Sequence, residues 1–210
     1  MRPLLPTSTL VLDACILMSG VLRPFLLDLA ERGVFSPIWN DRIGVEWQRN
    51  AARIWPVSAE LLAREWTNMQ ADFPFANMGD VADVEHELIH CDNKDRHVAA
   101  AGMVAARDHH YPDVTVLTWN TKDFSRSELR QHHLGLSDPD LLLSRWWPQH
   151  AEVMMESLTA VIQDLFASGR RQQEPLVDML RRERLYRLAK LVSQSHLTTT
   201  SPAILSEGGA

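Results

Sequence analysis

Four acidic side chains in this sequence have the type and spacing to do hard-oxygen chemistry together. Asp13 closes the apolar run Leu10-Val11-Leu12. Glu46 lies in Trp39-Asn40-Asp41-Arg42-Ile43-Gly44-Val45-Glu46-Trp47. Asp95 opens Asp95-Arg96-His97-Val98-Ala99-Ala100-Ala101, and Asp123 follows Val114-Thr115-Val116-Leu117-Thr118-Trp119-Asn120. Carboxylates are hard ligands suited to Mg²⁺ or Mn²⁺. Two of the four follow apolar, β-rich runs, and open α/β sheets gather ligands beyond the carboxyl ends of their strands. Taken singly, each acid has a plainer reading as a cap or a loop carboxylate, and Asp95, at the start of a helix, fits that reading well. Asp13 resists it. It sits between Leu12 and Ala14-Cys15-Ile16-Leu17, and a buried unpaired carboxylate needs a cation or several hydrogen-bond donors. Glu46, flanked by Val45 and Trp47, is similar. If these acids converge, their mutual repulsion calls for a bound cation.

The elements that must position these acids are readable in outline. Leu10 to Leu12 reads as a buried strand. Phe25, Leu26, Leu29 and Ala30 recur at helical spacing within Arg23 to Arg32, with Gly33 placed as a C-terminal cap. Val34 to Trp39 reads as a short extended piece. Asn40 is an N-cap candidate for the helix carrying Ile43, Glu46 and Trp47. Ser58 caps a second helix, Ala59 to Asp72, which Pro74 ends. Val81 to His90 is ambiguous, with a short strand expected near Leu88-Ile89. Asp95 begins a helix whose narrow side, Val98, Ala101, Gly102 and Ala105, suits packing on a sheet. Val114 to Trp119 is the clearest strand. Strands separated by helices imply right-handed crossovers and a mostly parallel sheet, hence an α/β fold. From Ala151 the periodicity is helical only: Val153, Leu158, Val161 and Leu165, then Leu180 and Leu188 after Gly169 to Pro175. The pattern divides the chain into an α/β domain over 1–147, a helical extension over 148–197 and a tail over 198–210 expected to be disordered. The extension has three ways to bury its apolar positions: against its own domain, against a second copy in a homodimer, or over the acidic groove.

Bulk properties narrow the function classes. The 210 residues are 45% hydrophobic and 23% charged, as in soluble globular proteins. No apolar stretch is long enough to span a membrane, and the N-terminus makes a poor signal peptide. The two cysteines, Cys15 and Cys91, are expected to be buried free thiols in a cytoplasmic protein. A net charge of −6 argues against a generally basic coat for nucleic acid but not against local phosphate binding. Arg170, Arg171, Arg181, Arg182, Arg184 and Arg187 form a basic set suited to holding phosphates, although ordinary ion pairing along a solvated helix face explains such a set equally simply. The histidines, His97 and the pairs His109-His110 and His132-His133 among them, read as surface or turn residues, with His97 pointing away from Asp95. No Gly-rich phosphate loop is present.

The four acidic motifs resemble, in order and at comparable spacing, those of PIN-domain ribonucleases, and most closely the VapC-type toxins of bacterial toxin–antitoxin systems. The likeness runs from about Leu10 to Leu143, and the helical C-terminus is similar to an extension found in some of those toxins. The resemblance implies a PIN-like three-layer fold. It implies a Mg²⁺- or Mn²⁺-dependent endoribonuclease whose metal pocket and catalytic set are Asp13, Glu46, Asp95 and Asp123. Thr118, Asn120 and Asp92 would support that pocket. It implies an RNA substrate and a small cognate antitoxin as partners. One departure is Cys15, where many relatives carry asparagine. Two rival readings remain at this point. A haloacid-dehalogenase-type phosphatase would need an aspartate where Cys15 stands. An interaction module with an acidic pocket and no catalysis would retain the same acids.

Overall fold

The structure, a computed structural model, describes residues 7–199. Four strands, β1 (Thr9–Leu12), β2 (Ser36–Ile38), β3 (Val114–Leu117) and β4 (Gly135–Ser137), form one sheet in the order β2-β1-β3-β4. All three pairings are parallel. Every residue of β1 is buried, so both sheet faces are covered there, as the unbroken apolar run requires. The chain is therefore α/β; the sequence pattern implies a mostly parallel sheet, and the sheet is parallel throughout. The strand order places β2 on one side of β1 and β3 on the other, which makes the gap beyond the ends of β1 and β3 a topological switch point.

Helices α1 (Ala14–Leu17) and α2 (Leu22–Glu31) follow β1, and Gly33 after α2 adopts φ 78°, a left-handed turn that glycine takes without strain. Next come α3 (Asp41–Ile54) and α4 (Ala59–Asp72), capped by the side chains of Asn40 and Ser58 as expected. Then α5 (Ala82–Glu85) and α6 (Arg96–Arg107) precede β3. The small-residue face of α6 lies on β1 and β3; a Cβ on Gly102 would stand 3.3 Å from Val11. The strand expected at Leu88-Ile89 does not form. Leu88 is buried, Ile89 is exposed, and the backbone N–H of His90 donates to the buried Glu128 carboxylate on α7 (Arg126–Gln131) at 2.9 Å. A side chain thus satisfies backbone that a strand would have paired.

Helix α8 (Pro139–Ala167) starts at an Asp138 cap and runs through the position where the sequence suggests a domain boundary. Its one non-helical residue is His150, two positions after Pro148, whose ring removes a backbone donor. Two further helices follow, α9 (Leu176–Arg182) and α10 (Tyr186–Thr199). Met154, Leu158, Leu180, Leu185, Leu188 and Val192 belong to the same buried cluster as the strands. Of the three ways to bury these helices, the structure shows docking on their own α/β domain. Asp140 clinches the contact: its buried carboxylate accepts from the N–H groups of Arg187 and Leu188 at the start of α10. The expected tail, 198–210, lies outside the described residues beyond the last two positions of α10. Among the described residues, no helix is long and apolar enough to cross a membrane.

Candidate functional site

The register of β1 on β3 pairs Leu12 with Leu117, so Asp13 and Thr118 leave the sheet side by side. Asp13 donates its backbone N–H to Leu117 O at 3.3 Å. It occupies the N-cap position of α1 without a side-chain capping bond, and its carboxylate is buried. Two donors meet one of its oxygens, Oδ2: the Thr118 hydroxyl at 2.6 Å and the Cys15 thiol at 3.1 Å. Burial, and then the Asp13 charge, push the Cys15 thiol far above its ordinary range, so it stays protonated and keeps donating. Cys15 Sγ and Thr118 Oγ1 in turn accept from the N–H groups of Trp119 and Asn120 at 3.4 and 3.0 Å. The departure at Cys15 therefore leaves a working hydrogen bond to Asp13.

Glu46 reaches the same end of the sheet from α3. Asn40 fixes that helix twice: its Oδ1 accepts from Ile43 N–H and its Nδ2 donates to His97 O on α6, both at 2.8 Å. Glu46 is half-buried, with an oxygen 3.5 Å from His97 Nε2. This imidazole is the largest cause holding the Glu46 carboxyl below its usual range; burial opposes it, while Arg49 and Arg42 reinforce it. The expectation that His97 is a surface residue pointing elsewhere is thus corrected. His97 is 1% exposed, and neither ring nitrogen makes a hydrogen bond among the described residues. Helical spacing misleads here because Asp95 stands at the cap, before the helix, and because the Asn40 bond draws α3 across the first turn of α6.

Asp95 takes the N-cap position of α6, yet its side chain makes no capping bond, so the plain capping reading does not hold. Its loop is tied to the Asp123 turn by Asp92 N–H, which donates to Asp123 O at 2.8 Å. Asp92 also folds its own loop, accepting from Lys94 N–H at 2.9 Å. Asp123 closes a 3-10 turn, Thr121–Asp123, and donates its N–H to Asn120 O at 3.0 Å. The consequence is electrostatic. Asp95 is raised from 3.8 to about 6, first by burial and then by the charges of Asp13, Asp123, Asp92 and Glu46.

No family model, curated protein or solved structure matches the chain.

The structure thus gathers all four candidate acids, with Asp92, into one neighbourhood at the switch point. Thr118 supports Asp13 through its hydroxyl, whereas Asn120 contributes its backbone and is itself exposed. The side chains are not drawn into direct ligating reach of one another: among the described residues, no three His, Cys, Asp or Glu stand close enough to hold a metal ion between them. Two residues at the site have contacts that the sequence reading did not give them. Cys15 was visible as a departure from a pattern. His97 was visible only as a histidine on a helix, and no periodicity says that its ring faces Glu46.

Proposed function

We propose that this chain is a PIN-like, Mg²⁺- or Mn²⁺-dependent endoribonuclease, and that it is the cytoplasmic toxin of a type II toxin–antitoxin pair. The observation that carries the nuclease reading is Asp95. A carboxylate raised to about 6, first by burial and then by four other acids, is one that a cation would relieve, and the four come from separate segments around the ends of β1 and β3. The donors are hard oxygens, and Mg²⁺ commonly keeps waters between itself and its protein ligands, which suits acids spaced beyond shared direct ligation. Asp13, Glu46, Asp95 and Asp123 would hold the ion. When bound, such an ion supplies an activated water and charge stabilisation for phosphodiester hydrolysis. The chain's own residues fix the site: Thr118 and Cys15 orient Asp13 through one oxygen, Asn40 sets the approach of α3, and His97 faces Glu46. The toxin assignment and the small antitoxin partner rest on the resemblance of the four motifs.

The same spacing favours one second reading, an interaction module that uses the acidic shelf without catalysis. The phosphatase reading is weaker, since its second aspartate is replaced by a thiol that stays protonated. Calorimetric titration of Mn²⁺ and cleavage of a mixed RNA pool, each with wild type and Asp13→Asn, separate these readings. The nuclease reading expects binding and cleavage by wild type and loss of both in the variant. Mn²⁺ binding of equal strength by both proteins, or no cleavage by wild type with either metal, would sink it.

A further inference from the structure

The corner between α9 and α10 lies against the site. Leu185 is fully buried and donates its N–H to Leu180 O at 2.8 Å, while Arg184 N–H donates to Arg181 O at 3.0 Å. Glu183, at this corner, accepts from Ser19 Oγ at 2.6 Å, and Ser19 lies in the turn between α1 and α2, shortly after Asp13. These anchors hold Arg184 at φ 64°, a left-handed conformation that side-chain-bearing residues rarely adopt. Its guanidinium carbon lies 4.7 Å from the ring centroid of Trp119, the residue between Thr118 and Asn120. The C-terminal helices therefore deliver one cation to Trp119, the neighbour of the Thr118 that bonds Asp13.

The rest of the basic set is neutralised locally. Arg170 faces Asp164, Arg171 faces Glu183 and Glu174, Arg181 faces Asp178, Arg182 faces Glu174 and Arg187 faces Asp140. Arg184 alone of the six has no carboxylate partner among the described residues and is exposed. An indole face holds a guanidinium in place without cancelling its charge, and leaves the N–H donors along its edge for an anion. A shelf of five carboxylates repels a polyanionic backbone, so a fixed cation at its rim is what an incoming phosphate would need.

We propose that Arg184, seated on Trp119, is a substrate-binding residue that takes a backbone phosphate of single-stranded RNA beside the acidic pocket. The assignment rests on the nuclease reading and narrows it: the phosphate contact belongs to Arg184 and not to the arginine set as a whole. The test uses the full chain carrying Asp95→Asn to stop cleavage, with a fluorescein-labelled 12-nucleotide RNA of mixed sequence, followed by anisotropy across a NaCl series. Adding Arg184→Gln should weaken binding about 3–10-fold at low salt and flatten the log–log salt slope by about 0.7, the value for one phosphate contact on a single strand. Arg184→Lys should keep the slope and lose part of the affinity, because it retains charge without the planar guanidinium. Arg181→Gln, which breaks only the Asp178 pair, should change neither. Equal affinity and slope for Arg184→Gln and its parent would overturn the assignment, and so would an Arg181→Gln effect as large. A parent that binds no RNA would remove the nuclease reading and this site with it, an outcome distinguished by the parent alone.

Discussion

Asp95 and Glu46 are both half-buried carboxylates, yet their surroundings push them in opposite directions, and stability follows with opposite signs. Glu46 is lowered, chiefly by His97, so its contribution is present at neutral pH and is lost on acidification through its folded pKa. Asp95 is raised, so its contribution to folding is fully present only below about 3.8 and is lost as pH rises through about 6. Above that pH its charge works against the fold. The shift would correspond to about 3 kcal/mol for an enclosed group, but Asp95 is partly exposed and solvent screening reduces this to about 1 kcal/mol. Asp95→Asn is therefore expected to raise the melting temperature by about 2–4 °C at pH 7.5 in EDTA, and to leave it nearly unchanged at pH 4. Adding Mn²⁺ at pH 7.5 should reverse the order, because only the wild-type carboxylate is relieved by a cation. A variant that melts with or below wild type in EDTA at pH 7.5 would show that Asp95 carries no repulsion worth the name.

Glu46 is aimed by a helix, and that helix depends on a glycine. A Cβ at Gly44 would meet the Trp66 ring of α4 at 2.3 Å. The ring cannot simply step aside, since Trp66 packs on Trp39 and Trp47 with centroids at 5.7 and 6.1 Å. Alanine has the higher helix propensity by about 1 kcal/mol, but overpacking costs about 1–3 kcal/mol. With a clash this close the overpacking cost lies at its upper end, about 2–3 kcal/mol, so Gly44→Ala should be destabilising by about 1–2 kcal/mol, a fall of about 3–6 °C in melting temperature. A melt at or above the wild-type value would mean that α4 yields freely. The cap of the same helix was legible in the sequence, because Asn40 acts on a neighbour three residues away; Ser58 and the span Ala59–Asp72 were legible for the same reason. So were β1, whose run Leu10-Val11-Leu12 is unbroken, and β3, where Val114, Val116 and Leu117 surround a single Thr115. Elements defined by distant partners were not. Strand β4 is only Gly135-Leu136-Ser137, and its pairing with β3 is what makes it a strand. Helix α8 was hidden because its helical periodicity is plain only from Ala151 and Pro148 lies at the expected boundary, whereas the helix absorbs Pro148 with one distorted residue. At the site, the four acids stood out by type and spacing. His97 did not, because a contact between α3 and α6 places it.

At the scale of the whole molecule, the acidic site and the C-terminal helices share one body. A chain ended at Trp147 would keep Asp13, Glu46, Asp92, Asp95 and Asp123. It would lose Met154, Leu158, Leu180, Leu185, Leu188 and Val192, all fully buried against or alongside the α/β elements. At about 2 kcal/mol for each large apolar side chain, that loss, about 12 kcal/mol, falls within the 5–15 kcal/mol that ordinarily separates folded from unfolded domains. It would also bare the face of α2 that α8 covers, and leave the Asp140 carboxylate without the Arg187 and Leu188 N–H groups that it accepts from. The fragment 1–147 is therefore expected to aggregate on expression, or to show no cooperative thermal transition by circular dichroism. The full chain should melt in a single transition rather than two. A soluble 1–147 fragment melting cooperatively within about 5 °C of the full chain would show that the α/β part folds alone and that the helices are an ornament on it.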